Sequence, residues 1–471
     1  MGGLFRLCEA KIRPGVYRRY ENAGNTGIPG AIYGVFAIPV HANFGPIGAV
    51  SVFEADQIED LKTMYGTAGT VDAALALFEG GASKVHVYRL GTGGAVASVS
   101  IKNATGEALV KLNTKYPTAD NYNITIKDRL DDAAMRQLSV YRDTTLLETI
   151  NFEKSENEAS ALIAAVKDAS KFLVVDTSTA AGTGSAAAIT NEKLTGGTAP
   201  TVTTESYDEA FTAFEPYTWN VLVLDTCETA VHALVQAYLN RIYEEGALGI
   251  CILGEPTTVN FEARLEHAKA FNDEKIVYLG SGYEDADGNK IDGYLAIAKQ
   301  AGLIGSMESN TSATHTVIPG AVNVLEPLKN SQYERAIQAG MLLLSPNAEG
   351  QVWFDAGINT LVTLKENQDA GWQKIRRTAT RFEVFDRIDR AVAPLIGKVN
   401  CDNIGIGDVI MRGQAVLDAM VGEGKFHVDA TFVEDPEYRR GPDYGHFVID
   451  AVDMDSLEKI YLRYRFRFSV E

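Results

Sequence analysis

The stretch from Tyr207 to about Leu364 constrains the fold most, because short apolar runs alternate there with segments of helical periodicity. WNVLVLD precedes the helical pattern ETAVHALVQAYLNRIYEEG, and GICILGE, FEARLEHAKAF and KIVYLG repeat the unit. Strands that are apolar on both faces and are separated by helices predict a parallel sheet covered on both sides. The same texture occurs in AIYGVFAIPV and DAALALFEGGASKVHVYRL. We therefore predict one α/β core that is shared by residues 26–94 and 204–367.

Residues 95–203 follow a different pattern. AVASVSIKNA, TADNYNITIKDR and RQLSVYRD alternate apolar and polar residues between turn signals, and one short helix is predicted near 157–169. The stretch ends in a Gly/Ala/Thr-rich tract without periodicity, which indicates a boundary. We predict a β-rich, sandwich-like module inserted into the α/β core.

Residues 368–455 are predicted to form an α+β domain. WQKIRRTATRFEVFDRIDRAVAPLIGKV carries apolar residues at intervals of three and four, which predicts an amphipathic helix. A second helix is expected from about Gly407 to Met420, and FHVDATFVED and GHFVIDAVD are expected to be strands. The whole chain is thus predicted to be a multidomain α/β plus β protein.

The charge balance excludes some classes of function. The chain of 471 residues holds 43 basic and 62 acidic side chains, a net charge of -19, which disfavours direct binding of a nucleic-acid backbone. The four cysteines stand apart, and neither the histidines nor DADGNKIDG has the spacing of a metal site. GTGG lacks the spacing of a nucleotide-binding loop. We expect no metal and no cofactor, and no segment suited to membrane insertion.

The two ends of the chain differ from the acidic body. Residues 1–20 hold five cations against one carboxylate, and residues 456–471 hold four against two. The last segment alternates strictly, with an apolar row opposite a cationic row of Arg463, Arg465 and Arg467. The apolar row consists of Ile460, Leu462, Tyr464, Phe466, Phe468 and Val470. We predict a strand and treat residues 1–25 and 456–471 as arms.

A strand of this kind needs a sheet edge. Ordering its backbone costs ~1 to 2 kcal/mol per residue, which nearly cancels ~1.5 to 3 kcal/mol for each apolar side chain that becomes buried. Ladder hydrogen bonds to a neighbouring strand supply the remaining stabilisation. The edge can belong to the same molecule or to an adjacent copy, and the pattern alone leaves both alternatives open.

Several segments together resemble a known family. They are RPGVY from Arg13 to Tyr17, KLTGGT, AGLIGSMESNTSATHTVIPGA, DAGINTLV, KIRRTATRFEVFDRIDR and IGKVNCDN, in this order. The chain resembles the tail sheath proteins of contractile bacteriophage tails and related phage-tail-like particles, particularly those of Gram-positive hosts. The resemblance spans most of the chain, and the inserted module is the kind of region that varies widely in such proteins.

The resemblance implies a structural subunit without a catalytic site. Copies would stack as rings or a helical sheath around an inner tail tube protein, held between baseplate and tail-terminator proteins. The N-terminal arm (Arg13, Pro14, Gly15, Val16 and Tyr17) and the C-terminal strand (Ile460, Leu462, Tyr464, Phe466 and Phe468) would pair with neighbouring copies. The particle would assemble in the host bacterial cytoplasm, and the protein would reside in the virion tail. A particle that lacks a head is equally compatible.

The resemblance also implies a position for a cationic helix and a fold for the α/β core. Lys374, Arg376, Arg377 and Arg381 would lie toward the tube, whereas their pattern alone equally predicts a solvated helix face. The parallel-sheet core would resemble a catalytically empty subtilisin-like fold.

A serine hydrolase of subtilisin-like fold is the main alternative. Between Tyr207 and Leu364 the histidines are His232, His267 and His315, and no serine there has a nucleophile motif around it. His315 is the least implausible base. A tail protein with another assembly role is the third candidate.

Overall fold

The computed structural model describes residues 33–466. The described chain divides into two compact units, one formed by residues 384–454 and the other by residues 33–383 together with 455–466. The division at residues 383 and 384 falls inside the helix Ile375–Val392. The domain bounds drawn from the sequence stay a prediction.

The elements are bounded as follows. The strands are β1 Val35–Val40, β2 Val50–Glu54, β3 Lys84–Arg89, β4 Ser98–Lys102, β5 Ala108–Thr114, β6 Tyr122–Asp128, β7 Met135–Arg142, β8 Thr145–Glu153, β9 Leu173–Val175, β10 Ile189–Lys193, β11 Val221–Val223, β12 Ile250–Gly254, β13 Ile276–Leu279, β14 Tyr283–Asp285, β15 Lys290–Ile291, β16 Ala321–Val324, β17 Met341–Leu342, β18 Leu344–Pro346, β19 Val352–Phe354, β20 Thr431–Glu434 and β21 Phe447–Asp450. The α-helices are α1 Ile58–Tyr65, α2 Val71–Glu79, α3 Ala159–Ala169, α4 Thr204–Phe214, α5 Thr229–Glu244, α6 Phe261–Phe271, α7 Gly293–Ser306, α8 Asn330–Gln338, α9 Ile375–Val392 and α10 Asn403–Gly422.

The larger unit is built on a mixed seven-stranded sheet in the order β17-β13-β12-β11-β1-β3-β2. Its strands are parallel except for β2, which runs antiparallel to β3 at one edge. Strand β1 precedes residues 95–203 and β11 follows them, yet the two pair directly, with Phe36 opposite Val221. One sheet therefore takes strands from both sides of the insert.

Side chains on both faces of this sheet pack into hydrophobic clusters. Ile38 and Val223 join a cluster with α2 and α7, whereas Ala37 and Leu222 join another with α4 and α5. All five residues of β12 are buried. The helices remove both faces from water, which is why these strands need continuous apolar runs and not alternation. The predicted α/β layer is confirmed in this mixed α/β form.

The insert has a hydrophobic cluster of its own. Its strands form a four-stranded sheet, β10-β6-β7-β8, and a three-stranded sheet, β4-β5-β9, with α3 packed against them. Ile126, Leu138 and Leu162 are fully buried in this cluster. The Arg136 guanidinium donates to the buried carboxylate of Glu158 at 2.8 Å, so the one buried charge is paired with the other.

The smaller unit contains the second half of α9, the helix α10 and the two-stranded sheet of β20 and β21. Helix α10 begins at Asn403, four residues before the start expected from the sequence. Asp402 explains the earlier start, because its carboxylate accepts hydrogen bonds from the backbone N–H groups of Ile404 and Gly405. Val416, Leu417 and Met420 of α10 are fully buried.

The strand predicted at the end of the chain is not formed as far as Phe466. Residues 455–466 lie outside every strand of the described chain. No described residue pairs with this segment as a ladder partner, and apolar alternation does not stabilise a strand without a neighbour. Within residues 33–466, no helix combines the length and the apolar content that crossing a bilayer requires.

Candidate assembly surfaces

The C-terminal segment of residues 455–466 exposes an unusual amount of apolar surface. Ile460 and Leu462 are each 69% exposed, Tyr464 is 73% exposed and Phe466 is 85% exposed. Soluble proteins scatter single apolar residues over their surface, but a consecutive row of large ones marks an interaction site. The four described members of the predicted apolar row are therefore presented to solvent in the isolated chain.

The root of this segment is held to its own unit by ion pairs. The Lys374 ammonium lies 2.7 Å from Asp455 Oδ2 and 3.0 Å from Glu458 Oε2. The hydroxyls of Ser312 and Thr314 donate to Glu458 Oε1 at 3.0 and 3.2 Å. We call this group of contacts the root clasp. It fixes the place where the segment leaves the unit and leaves the apolar row beyond it exposed.

The protonation states of the root clasp are coupled. Burial is the largest single influence on Glu458 and would raise its pKa, but the hydrogen bond and charge of Lys374, together with hydrogen bonds from Ser312 and Ser456, outweigh burial and lower the pKa. Burial is also the largest influence on Asp455, but Lys374, the Ser456 backbone N–H and Arg376 together outweigh it and lower the pKa. Burial disfavours the charged form of Lys374, yet its bonds to both carboxylates raise its pKa. All three groups are thus charged at neutral pH.

The other cations of the predicted tube-facing set are paired within the chain as well. Arg376 is 7% exposed, and its guanidinium lies 3.4 Å from Asp455 Oδ1. Arg377 pairs with Asp369 at 2.9 Å. Arg381 pairs with Glu274 at 2.7 Å and lies over the Trp372 ring, 3.5 Å from its centroid. These contacts give the four cations a role inside the unit, and their orientation toward a tube stays a prediction.

Within the described residues, the smaller unit carries a two-stranded sheet. β20 and β21 pair antiparallel, with Phe432 opposite Ile449 and Val433 opposite Val448. The Phe432 and Phe447 rings stack with their centroids 5.4 Å apart, on the face that packs against α10. Val433, on the other face, is 42% exposed. An isolated pair of strands is only marginally stable and presents two edges that can accept another strand.

The surroundings of this small sheet are acidic. Residues 425–454 contain seven carboxylates and three Lys or Arg residues. The C-terminal arm has the opposite sign, because its segment from Lys459 to Arg467 contains four cations and no carboxylate. Opposite charges of this kind favour association of one copy with another and suppress pairing of like segments.

Part of the predicted assembly set lies outside the described residues. Arg13, Pro14, Gly15, Val16 and Tyr17 precede residue 33, and Phe468 follows residue 466. The described members are Ile460, Leu462, Tyr464 and Phe466, which share one exposed segment. Their pairing with neighbouring copies stays a prediction.

The histidines that the hydrolase alternative required are engaged otherwise. The His315 ring stacks on Trp353 with centroids 4.0 Å apart. Burial of His232 lowers its pKa to about 4. The Nδ1 atom of His267 is 2.8 Å from Glu255 Oε2. Within residues 33–466, no histidine ring hydrogen-bonds to a serine or cysteine side chain, and no group of His, Cys, Asp and Glu forms a metal site.

One polar cluster was missed by the sequence reasoning. At the carboxyl ends of β1 and β11, Asp225 is buried and accepts hydrogen bonds from His41 Nδ1 at 2.7 Å, the Thr70 hydroxyl at 2.5 Å and the Tyr207 hydroxyl at 2.8 Å. The bond to Asp225 raises the pKa of His41. The cluster joins the loop after β1, the start of α2 and helix α4 to the segment after β11. His41 and Asp225 are 184 residues apart, so no local motif announces their contact.

Comparisons with known proteins agree with the resemblance seen in the sequence. Residues 200–360 match the model of the phage tail sheath protein central domain. The chain is 24% identical over 405 residues to the phage-like element PBSX protein XkdK of Bacillus subtilis strain 168. The matched region covers 84% of this chain and 83% of that protein. The resemblance to contractile tail sheath proteins is confirmed.

Solved structures share the fold over nearly the whole chain. The sheath tail protein of Desulfitobacterium hafniense has a TM-score of 0.70 at 19% identity, covering 93% of this chain and 100% of that one. The helical sheath of the anti-feeding prophage in its contracted state has a TM-score of 0.53 at 11% identity, covering 97% of this chain and 99% of that one. The chain therefore has the fold of sheath tail proteins.

Proposed function

We propose that this chain, with its sheath sequence and sheath fold, is the structural subunit of a contractile tail sheath. It polymerises around an inner tail tube and contracts to drive the tube through the host envelope. The observation that carries the proposal is the exposed apolar row beyond the root clasp, which has no strand to pair with in its own described chain. A neighbouring copy supplies that partner.

The arms join the copies by adding strands. The C-terminal segment, and the N-terminal arm around Arg13 to Tyr17, pair with the two-stranded sheet of β20 and β21 in adjacent copies. Strand addition satisfies the unpaired backbone groups of both partners and covers their apolar side chains. Such a contact joins two different surfaces, so it generates a ring where the rotation between copies closes and a helical lattice where it does not.

Contraction follows from the same connections. Arms that stay paired let whole copies rotate and move apart while each remains joined to its neighbours. The lattice can then pass from a metastable extended packing to a shorter, wider one. The energy is stored during assembly, and no nucleotide or other cofactor is required. We propose that the α/β core is a catalytically empty scaffold of subtilisin-like fold in this role.

The remaining partners follow from the position of a sheath in a tail. The helix with Lys374, Arg376, Arg377 and Arg381 lies toward the tube protein, and baseplate and tail-terminator proteins hold the two ends of the polymer. The protein assembles in the host bacterial cytoplasm and resides in the tail of a phage or phage-like particle. It binds neither nucleic acid nor membrane directly.

Electron microscopy of the purified full-length chain tests the proposal. Negative-stain images and sedimentation velocity at increasing concentration should show tubes or stacked rings. A variant in which Arg463 and Arg465 are both replaced by Glu should assemble less, and raised salt should weaken assembly of the unmodified chain. A defined small oligomer at every concentration, indifferent to salt, contradicts a sheath and favours another assembly role in the tail.

A further inference from the structure

The β-rich insert exposes a long strand edge. In its four-stranded sheet, β8 is an edge strand of nine residues, whereas β10 at the opposite edge has five. Natural proteins shield such edges with proline, lysine, bulges or covering elements. β8 contains neither proline nor lysine, and its bulge lies near its start, at Leu147. The part from Glu148 to Glu153 has none of these three devices.

The hydrogen-bond pattern fixes which backbone groups of this edge point outward. The Lys154 N–H donates to the Ala134 carbonyl at 2.9 Å, so the hydrogen-bonded pairs of β8 and β7 alternate from that position. Every second residue before Lys154 bonds to β7, and the residues between point away from it. The outward N–H and C=O groups belong to Thr149, Asn151 and Glu153. Among residues 33–466, none of these six groups has a hydrogen-bond partner.

The sequence along this edge, ETINFEK from Glu148 to Lys154, is complementary to itself. When two copies pair antiparallel about a two-fold axis at Asn151, Ile150 of each copy lies opposite Phe152 of the other. Glu148 then lies opposite Lys154 of the second copy, and the symmetry forms this pair twice. Glu148 is half-buried and Lys154 is exposed, so both charges are accessible. Opposite charges and apolar side chains placed across from each other stabilise an antiparallel pair.

The neighbouring alignments of the same edge lack this complementarity. An axis at Ile150 places the carboxylate of Glu148 opposite Phe152, and an axis at Phe152 places the ammonium of Lys154 opposite Ile150. Ile150 and Phe152 are 3% and 2% exposed, so either alignment sets a charge against a buried apolar side chain. The axis at Asn151 is therefore the favoured one.

From this edge we infer a docking surface whose occupant is β8 of a second copy, paired antiparallel about a two-fold axis at Asn151. The outward residues form three hydrogen-bonded pairs with two bonds each, which makes six ladder bonds. The two four-stranded sheets join into one of eight strands.

This contact goes beyond the proposed function, because it differs in symmetry from the contacts of a sheath. A two-fold contact uses the same surface on both copies and closes on itself, so it joins two copies that point in opposite directions. All copies of a polymer built on heterologous contacts point the same way. The pair hence belongs to free subunits and opens before they enter a sheath. It lowers the concentration of chains that can polymerise.

Cysteine variants of the full-length chain test the position of the axis. In Asn151→Cys the two new thiols face each other across the axis on Cα atoms about 5.5 Å apart, a separation that a disulfide spans. Thr149→Cys and Glu153→Cys are matched controls, because each position faces the other and lies roughly 14 Å from its own counterpart. The unmodified chain is the blank for the native thiols.

We expect mild oxidation to link Asn151→Cys into dimers at least about tenfold more than either control alone. An equimolar mixture of the two controls should link as well. A control that links by itself as readily as Asn151→Cys, or an Asn151→Cys that does not link, overturns the assignment.

Proline variants test the edge without a new thiol. Asn151→Pro removes an outward N–H and leaves the bonds to β7 in place. Lys193→Pro is the matched control on β10, because the bond from the Leu194 N–H to the Tyr122 carbonyl makes the Lys193 N–H point away from β6. Sedimentation velocity below the concentration of tube formation should show at least about tenfold weaker dimerisation for Asn151→Pro alone, with thermal unfolding as the check of folding. Dimerisation of a folded Asn151→Pro, or its loss in Lys193→Pro, contradicts the chosen edge.

Hydrogen exchange of the unmodified chain separates the pair from the sheath. The amides of Thr149, Asn151 and Glu153 should exchange at least about tenfold more slowly in dimers than in monomers and should lose this protection in tubes. Protection that occurs only in tubes assigns the edge to the lattice and overturns the two-fold pair. A chain that forms tubes and is monomeric below that concentration overturns the pair and leaves the sheath standing. A chain that dimerises through Asn151 and never forms tubes supports the pair and contradicts the sheath.

Discussion

Deletion of residues 460–471 tests whether this segment stabilises its own unit or a contact with a neighbouring copy. In the single chain the four described apolar side chains are 69 to 85% exposed, so together they bury about as much as one complete side chain. That corresponds to ~1.5 to 3 kcal/mol at most. Ordering the segment costs a similar amount or more. We therefore expect truncation to shift the melting temperature by less than about 2 °C.

The same side chains bury much more apolar surface in an assembly than in the single chain. Burial of their remaining surface is worth roughly 4 to 9 kcal/mol, to which ladder hydrogen bonds add ~0.5 to 1.5 kcal/mol each. The truncated chain should consequently melt like the full chain and form no tubes. Differential scanning calorimetry measures the first effect, and sedimentation velocity with negative-stain microscopy measures the second.

Two controls make the result interpretable. Replacing Ile460, Leu462, Tyr464 and Phe466 by threonine keeps the length, the cations and a high strand propensity, and it should also abolish assembly. Leu222→Ala opens a cavity in the buried sheet and should cost ~2 to 5 kcal/mol, which shows that the calorimetry detects the loss of core packing. A truncated chain that melts as early as Leu222→Ala, or that still forms tubes, refutes the reasoning.

Other perturbations test the contacts within the units. The lowered pKa of Glu458 means that the root clasp is complete above the ordinary glutamate pKa and is lost as pH falls through the lowered value. Protection of the 456–459 amides from hydrogen exchange should decrease over the same pH range. At neutral pH, Glu458→Gln should reduce that protection about two- to fivefold. Arg89→Met should cost at least about 3 kcal/mol of unfolding free energy, because the buried guanidinium donates to three backbone carbonyls. Arg335→Met, which removes a pair on the surface, should leave the midpoint of denaturant unfolding nearly unchanged. The raised pKa of His41 predicts that its contact with Asp225 stabilises the folded chain fully below about pH 6.5 and less as pH rises through the raised value. The difference in unfolding free energy between the unmodified chain and His41→Gln should therefore shrink over that pH range. A difference that stays constant with pH contradicts this prediction.

Secondary structure was largely predictable wherever burial leaves a local pattern. The continuous apolar run at Ile250 to Gly254 indicated a strand covered on both faces, and the helical periodicity before it matches α5. The terminal alternation identified the residues that are exposed, although no strand forms there in the described chain. Helix ends were less predictable, as the Asp402 cap of α10 illustrates.

The sequence by itself determined which segments are apolar, on how many faces, and where charge of each sign accumulates, because these properties are written in residues that are neighbours along the chain. Only the tertiary structure decided which polar groups meet. The root clasp joins Lys374 to Asp455, 81 residues further along, and Asp225 binds a histidine 184 residues away. Gln414 accepts a hydrogen bond from the Phe432 N–H only because α10 packs beside β20. Hydrogen bonds are short and directional, so a partner that is distant in the chain leaves no periodic trace, and the fold alone brings it within reach.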